Sequence, residues 1–323
     1  MKRILIAALA LVAAVACGPK TQPLDPEVVV GPYTVTNFTQ NIYHIQDYND
    51  QNPAGEEFDA EGNKTHFNNC SDMYLIVGEE SALLIDLSNY IRWADNAVES
   101  IQNIVAERIG DKPLTITFTH NHGDHTGMLP AFIENPDVFF SLPREDFEKM
   151  VSRFPDVKYE LYDDLKKYDL GGISLTAVLV PGHTAGSMVF FVDGQDIVFT
   201  GDAVGSGHGV WLFDLQAFKN YVGGVKHLME YIANPANGIA KDALRLYGGH
   251  YWQKDWFPEL GDDTFGMQYL NDMDELISQI IDGSAYTEPS NLDHRVIDTY
   301  FRNGQAVIAW NTELWAQYRA ENE

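Results

Sequence analysis

The chain reads as an α/β protein. Short apolar, strand-like runs alternate with amphipathic helical stretches along most of its 323 residues. The side chains with metal-binding chemistry fall just past the ends of those runs, with glycine close by to let the backbone turn. Loops held at strand ends by a rigid sheet are where reactive groups gather, so the pattern points to a site along one edge of a sheet.

Strands are predicted at Tyr43–Gln46, Met73–Val77, Ala82–Ile85, Leu114–Phe118, Val138–Ser141, Ile173–Leu179, Met188–Val192 and Ile197–Thr200. Asp193-Gly194 between the last two predicts a hairpin. Apolar positions at helical spacing predict helices over about 91–108, 144–153, 215–233 and 267–281. Asn303-Gly304 predicts a second hairpin between Val296–Phe301 and Ala306–Trp310. The long polar segment 47–70, which carries Pro53 and Gly55, is either a cover for the site or a surface excursion.

The N-terminus has a positive start (Lys2-Arg3), an apolar stretch from Ile4 to Ala16, and Cys17-Gly18 after small residues. This is the form of an export signal, and the stretch is too short for a membrane-spanning helix. Cys17 after Ala14-Val15-Ala16 resembles a bacterial lipoprotein cleavage box, except that Ala14 stands where leucine is usual. The expectation is a signal over 1–17 and lipidation of Cys17 at the cell envelope; the alternative is plain cleavage and a soluble exported protein. The proline-rich stretch 18–31 then suits a tether. The motifs described below cannot be separated, which predicts one catalytic domain over 32–285 with a C-terminal extension, 286–323, packed on it.

Cys70 is the only other cysteine, so a lipidated Cys17 leaves no intramolecular disulfide, and Cys70 reads as a buried, inert thiol. The formal net charge is −26, and losing Lys2 and Arg3 with the leader makes it more negative still. A surface this acidic disfavours nucleic acid, whose phosphates need basic contacts, and favours a small-molecule substrate. Oligomeric state is not legible.

The densest chemistry lies in Thr119-His120-Asn121-His122-Gly123-Asp124-His125, where four potential ligands fall within six residues. In an extended segment residues i and i+2 project to the same side, so His120 and His122 can offer two imidazoles to one cation. Asp124 and His125 come where the chain turns into a helix and can face a second. His183 in Pro181-Gly182-His183, Asp202 at the end of Asp196–Asp202, and His250 in Gly248-Gly249-His250 follow later strand-like runs and complete two ligand shells. Surface histidines clustered by chance are the competing explanation, and the matching downstream ligands argue against it.

Asp86 ends the buried-strand run Ser81–Ile85. A carboxylate there needs a partner, and a metal-bound histidine supplies one through its free N–H. His208 and Trp211, in the glycine-rich segment 205–211, are candidate substrate contacts. His44, His66, His227 and His294 lack ligand spacing and read as structural or surface residues.

With these motifs in this order, the sequence resembles the metallo-beta-lactamase-fold hydrolases over roughly residues 33 to 255. The resemblance implies a four-layer αββα sandwich with a dinuclear site along one edge. It implies that His120, His122 and His183 hold one metal, that Asp124, His125 and His250 hold the other, and that Asp202 bridges them. True zinc beta-lactamases of this superfamily generally lack an aspartate at the Asp202 position, whereas members resembling glyoxalase II, lactonases and phosphodiesterases have one.

The expected activity is therefore an exported, dinuclear, metal-dependent hydrolase. A hydroxide bridging two metals about 3.5–4 Å apart would cleave an ester, lactone, thioester or small phosphodiester bond. Asp124 would orient that hydroxide. Two zinc ions are expected, with iron or manganese as alternatives at an oxygen-rich site. A zinc beta-lactamase and a non-catalytic metal-binding lipoprotein are the alternatives to this reading.

Overall fold

The computed structural model describes residues 26–47, 57–58, 64–66, 70–153, 157–204, 209–250, 265–290 and 294–322. Cys17 and His208, like most of the 47–70 segment, lie outside these residues.

The strands, in chain order, are β1 (Val28–Val30), β2 (Tyr33–Asn37), β3 (Ile42–Gln46), β4 (Glu57–Phe58), β5 (Lys64–His66), β6 (Asp72–Val77), β7 (Ala82–Ile85), β8 (Leu114–Thr117), β9 (Val138–Pro143) and β10 (Lys158–Tyr162). They continue as β11 (Lys166–Asp169), β12 (Ser174–Leu179), β13 (Met188–Val192), β14 (Ile197–Gly201), β15 (Val210–Trp211), β16 (Arg245–Gly248), β17 (Tyr286–Pro289), β18 (Thr299–Asn303) and β19 (Ala306–Trp310). The helices are α1 (Ala97–Ile109), α2 (Gly123–Thr126), α3 (Arg144–Phe147), α4 (Leu215–Ala233), α5 (Met267–Asp282) and α6 (Thr312–Asn322).

Two sheets make the body of the fold. One runs β1-β2-β3-β6-β7-β8-β9-β10, the other β11-β12-β13-β14-β16. Their central strands are buried on both faces, which is why they read as continuous apolar runs rather than as alternating ones. The period of two still sorts each strand between two cores. Met73, Leu75 and Val77 of β6 pack with Ile101, Ile104 and Val105 of α1, while Tyr74 and Ile76 face the second sheet. Met188, Phe190 and Val192 of β13 face the first sheet, while Val189 and Phe191 pack among the side chains of α4 and α5. The layer order is thus α1, sheet, sheet, α4 with α5: an αββα sandwich.

Local chemistry fixes the boundaries of the outer helices. Asp214 caps α4 by accepting from the Ala217 N–H at 2.7 Å. Gly283, at φ +84°, ends α5 in the left-handed conformation that glycine tolerates best. The Asp193-Gly194 turn joins β13 to β14, with Gly194 at φ +73°.

Three sequence expectations need correction. Val28–Val30, placed in the tether, instead forms an edge strand paired antiparallel with β2. The helix expected over 144–153 is a single turn, α3, followed by a 3-10 turn at Val151–Arg153. The helix expected from 91 begins at Ala97, preceded by an irregular segment.

Beyond α5, a third sheet of order β15-β19-β18-β17 forms. β15 pairs parallel with β19 through Val210 with Ile308 and Trp211 with Ala309. This ties the chain just after Asp202 to the C-terminal hairpin. Phe301, Ile308 and Trp310 join the core around α4 and α5, where Trp310 stacks on Phe218 at 4.6 Å.

The site is placed by strand direction. β7 runs parallel to β8, and β14 parallel to β16. Asp86, His120, Asp202 and His250 follow the C-terminal ends of these strands, and His183 follows β12. Open α/β sheets form their ligand crevice at such ends.

Candidate metal centre

All seven sequence-predicted ligands converge. His120, His122 and His183 present ligand atoms within 4.8 Å of one another, as do His120, His125 and Asp202, and also Asp124, His125 and His250. His122 is the N-cap of α2 with an extended backbone, which lets it project beside His120 while Asp124 and His125 enter the helix. His122 offers Nδ1, 2.9 Å from His183 Nε2. Asp202 stands between the groups: its carboxylate oxygens lie 3.5 Å from His125 Nε2, 3.5 Å from His183 Nε2 and 3.3 Å from His250 Nε2. Asp124 Oδ2 is 3.4 Å from His250 Nε2.

The residues present fit a bound cation. Among the described residues His120 Nε2 is buried with no hydrogen-bond partner, and the equally buried His125 Nε2 and Asp202 Oδ1 meet each other only as an ion pair at 3.5 Å. Leaving a buried polar atom unmet costs about 1–3 kcal/mol, and a cation held among these three groups, whose ligand atoms lie within 4.8 Å of one another, would meet all of them. Imidazole nitrogens with carboxylate oxygens are the donor set that zinc prefers.

The ring nitrogens facing away from this point are occupied. His125 Nδ1 donates to Asp86 Oδ2 at 2.9 Å, and His183 Nδ1 donates to the Trp211 carbonyl at 3.0 Å. His250 Nδ1 donates to the Cys70 carbonyl. His120 Nδ1 lies 3.0 Å from Thr119 Oγ1, whose hydroxyl donates to Asp86 Oδ2 at 2.7 Å. Asp86 also accepts the Thr119 N–H at 2.7 Å. Asp86 therefore serves two histidines, one directly and one through Thr119. Its backbone sits at φ +66°, a left-handed conformation unusual for a non-glycine residue and tolerated better by aspartate than by most. Partners of this kind are worth roughly 10–100-fold in metal affinity. D86A is expected to bind metal that much more weakly in a chelator-competition titration, and an unchanged affinity would remove Asp86 from the site.

Electrostatics separates the histidines. Burial pushes His120 and His122 below the ordinary imidazole value and His183 down to about 4, leaving them neutral and ready to ligate. Burial also acts against the charged form of His125 and His250, but Asp202 and Asp124 outweigh it and hold both above the ordinary value. The same pairing overrides the burial penalty on Asp124 and Asp202 and keeps both carboxyls ionised.

Of the weaker sequence candidates, Trp211 enters through its backbone, as the acceptor for His183, while its ring rests 5.7 Å from that of His294. Cys70 is buried, forms no disulfide among the described residues, and lends its carbonyl to orient His250. His44 is an interior residue paired with Asp72 at 2.8 Å, and His227 pairs with Asp164 at 2.9 Å on the surface. Tyr247 lies in the core between the sheets. Sequence reasoning missed Phe213, whose ring lies 5.8 Å from His122 and 5.5 Å from His183. It also passed over His294, 5.5 Å from Phe213. The nearness of His294 to Trp211 and Phe213 has no counterpart in sequence spacing.

Comparison with known proteins agrees with this architecture. The Metallo-beta-lactamase superfamily profile matches residues 71–250, more than half of the chain. A protein of Aspergillus chevalieri named atrochrysone carboxyl ACP thioesterase is 30% identical over 190 residues, covering 58% of this chain and 54% of that protein. The lactamase-like protein nscB of Aspergillus fumigatus is 30% identical over 179 residues, covering 54% and 49%. The chain thus spans about half the length of the curated relatives it matches. Among solved structures, a metallo-beta-lactamase from Pontibacter korlensis superposes with TM-score 0.51 at 16% identity, covering 76% of this chain and 99% of that one. The DIM-1 metallo-beta-lactamase exposed to ceftazidime gives 0.51 at 13%, covering 78% and 99%. At such identities these two structures speak to the fold alone. The extent of the profile match, with the sandwich and the strand-end cluster, places the chain in the metallo-beta-lactamase superfamily.

Proposed function

We propose that this chain is a metal-dependent hydrolase carrying two metal ions, and that its substrates are acyl compounds, esters or thioesters, of small-molecule size. The observation that carries the reading is the convergence of seven candidate ligand side chains, their donor atoms largely buried and facing one another. His120, His122 and His183 would hold one ion and Asp124, His125 and His250 the other, with Asp202 shared. Bound metal supplies Lewis acidity, which brings the ionisation of water down to about neutral pH and polarises the scissile carbonyl.

The protein's own groups do the positioning. Asp124 is the most open of the acidic ligands, its side chain 22% exposed against 12% for Asp202, so it is the carboxylate placed to orient water at the cleft. Asp86 and the Cys70 and Trp211 carbonyls fix the imidazole orientations. The ring of Phe213 gives the histidine triad an apolar wall suited to an acyl chain or ring. The thioester preference rests on the name of the Aspergillus chevalieri relative. Zinc is the proposed ion, with iron or manganese accommodated by the oxygen donors. Export remains part of the proposal on the Lys2-Arg3, apolar 4–16 and Cys17 sequence alone.

The test is a hydrolysis panel of an aryl ester, an acyl thioester, a lactone, a p-nitrophenyl phosphodiester and a cephalosporin, each with and without chelator. Chelator-sensitive turnover of the ester or thioester is expected. Turnover confined to the phosphodiester or the cephalosporin would overturn the substrate class, and no turnover by metal-loaded protein would overturn the hydrolase.

A further inference from the structure

Asp146 lies on α3, outside the ligand set, and is buried. A carboxylate in that position is costly unless its oxygens are met. They are met by two ligand-bearing loops and by little else. Oδ2 accepts the Asn121 N–H at 3.0 Å and the Thr184 hydroxyl at 2.8 Å, and Oδ1 accepts the Gly186 N–H at 2.7 Å. The Asp146 carbonyl accepts Asn121 Nδ2 at 3.0 Å. Asn121 sits between His120 and His122, and Thr184 follows His183. The approach is close enough to demand glycine at 186, where a Cβ would lie 2.7 Å from the Asp146 nitrogen and 2.8 Å from its Cγ.

Resting on the proposed metal centre, we infer that Asp146 is a positioning residue that sets the spacing of the His120–His122 pair against His183, and so governs one metal position rather than both. The other group has anchors other than Asp146: His125 is held by Asp86, which also reaches His120 through Thr119, the His125 carbonyl accepts the Leu87 N–H at 2.7 Å, and His250 is held by the Cys70 carbonyl. Nothing in that set touches Asp146. A role confined to general stability would lower melting temperature without changing the ratio of the two metal affinities.

The test is a zinc titration against a chromophoric chelator for wild type, D146A and D146N, with melting curves alongside. The wild type should take up two zinc ions. D146A should lose roughly 10–100-fold in affinity at one position, the magnitude typical of outer-shell partners, and keep the other within about twofold. D146N, which retains the shape but turns one acceptor into a donor, should fall between, and it decides the matter alone if D146A does not fold. Equal weakening of both positions, or wild-type affinity at both in a folded variant, overturns the inference. Wild-type protein that binds no zinc overturns the metal centre itself, which separates the two failures.

Discussion

D202A is expected to retain no more than one metal ion per chain and to lose hydrolysis by at least the same factor as its metal affinity. Among the described residues Asp202 is the only acidic side chain whose oxygens reach His125, His183 and His250 together, at 3.3 to 3.5 Å. Removing it leaves the two histidine groups with one remaining acidic ligand, Asp124. Deleting one partner of a buried charge pair typically costs about 3–5 kcal/mol, and at about 1.4 kcal/mol per tenfold this is roughly 10²–10⁴-fold in affinity. D202N tests the charge separately from the volume and should lie nearer the alanine variant than the wild type. Metal analysis and chelator competition read the first effect, and initial rates on the ester or thioester read the second. Wild-type stoichiometry in D202A would mean that Asp202 is not shared between two ions.

The second large effect is on pH. Burial lowers His120, His122 and His183, so these carry no proton that a metal must displace near neutrality. For His125 and His250 burial also favours the neutral form, but the Asp202 and Asp124 carboxylates raise both above the usual value of about 6.5. A metal must therefore expel two protons, and affinity should fall as pH drops, approaching about tenfold per pH unit for each competing proton.

Stability of the metal-free fold runs the other way. Raised histidines contribute stability that is fully present below about pH 6.5 and is lost as pH rises through their folded values. Asp124 and Asp202, whose pKa values are lowered, contribute stability present above about pH 4 and lost as pH falls through their folded values. Zinc should therefore raise the melting temperature more at about pH 8 than at about pH 5.5. Melting curves with and without zinc check this, and an increment that is constant or larger in acid would contradict the assignment of His125 and His250.

How much of this was legible depended on where each residue's partner lies. The central strands β6, β7, β12, β13 and β14 announce themselves because burial on both faces leaves no polar interruption. The edge strands do not. β10 (Lys-Tyr-Glu-Leu-Tyr) and β11 (Lys-Lys-Tyr-Asp) end the two sheets and carry the charges that protect an open edge, so they read as loops. α6 buries only Tyr318 and so has little amphipathic signal.

The candidate ligands were legible because histidine and aspartate beyond a strand end have a recognisable chemistry. Their partners were less so. Cys70 and Trp211 act through carbonyl oxygens, which every residue possesses. Asp146, unlike Asp86, does not directly follow a strand but lies within α3, where an acidic residue in a first helical turn reads as ordinary. Phe213 and His294 meet only because β15 pairs with β19.

The most direct test of the central claim is the metal content of the purified wild-type protein, measured by elemental analysis after dialysis and again after reconstitution with zinc. Two equivalents per chain, removable by chelator, is the predicted result. No stoichiometric metal even after reconstitution would contradict the account, because the buried Nε2 of His120, which has no hydrogen-bond partner among the described residues, would then have no ligand to explain it.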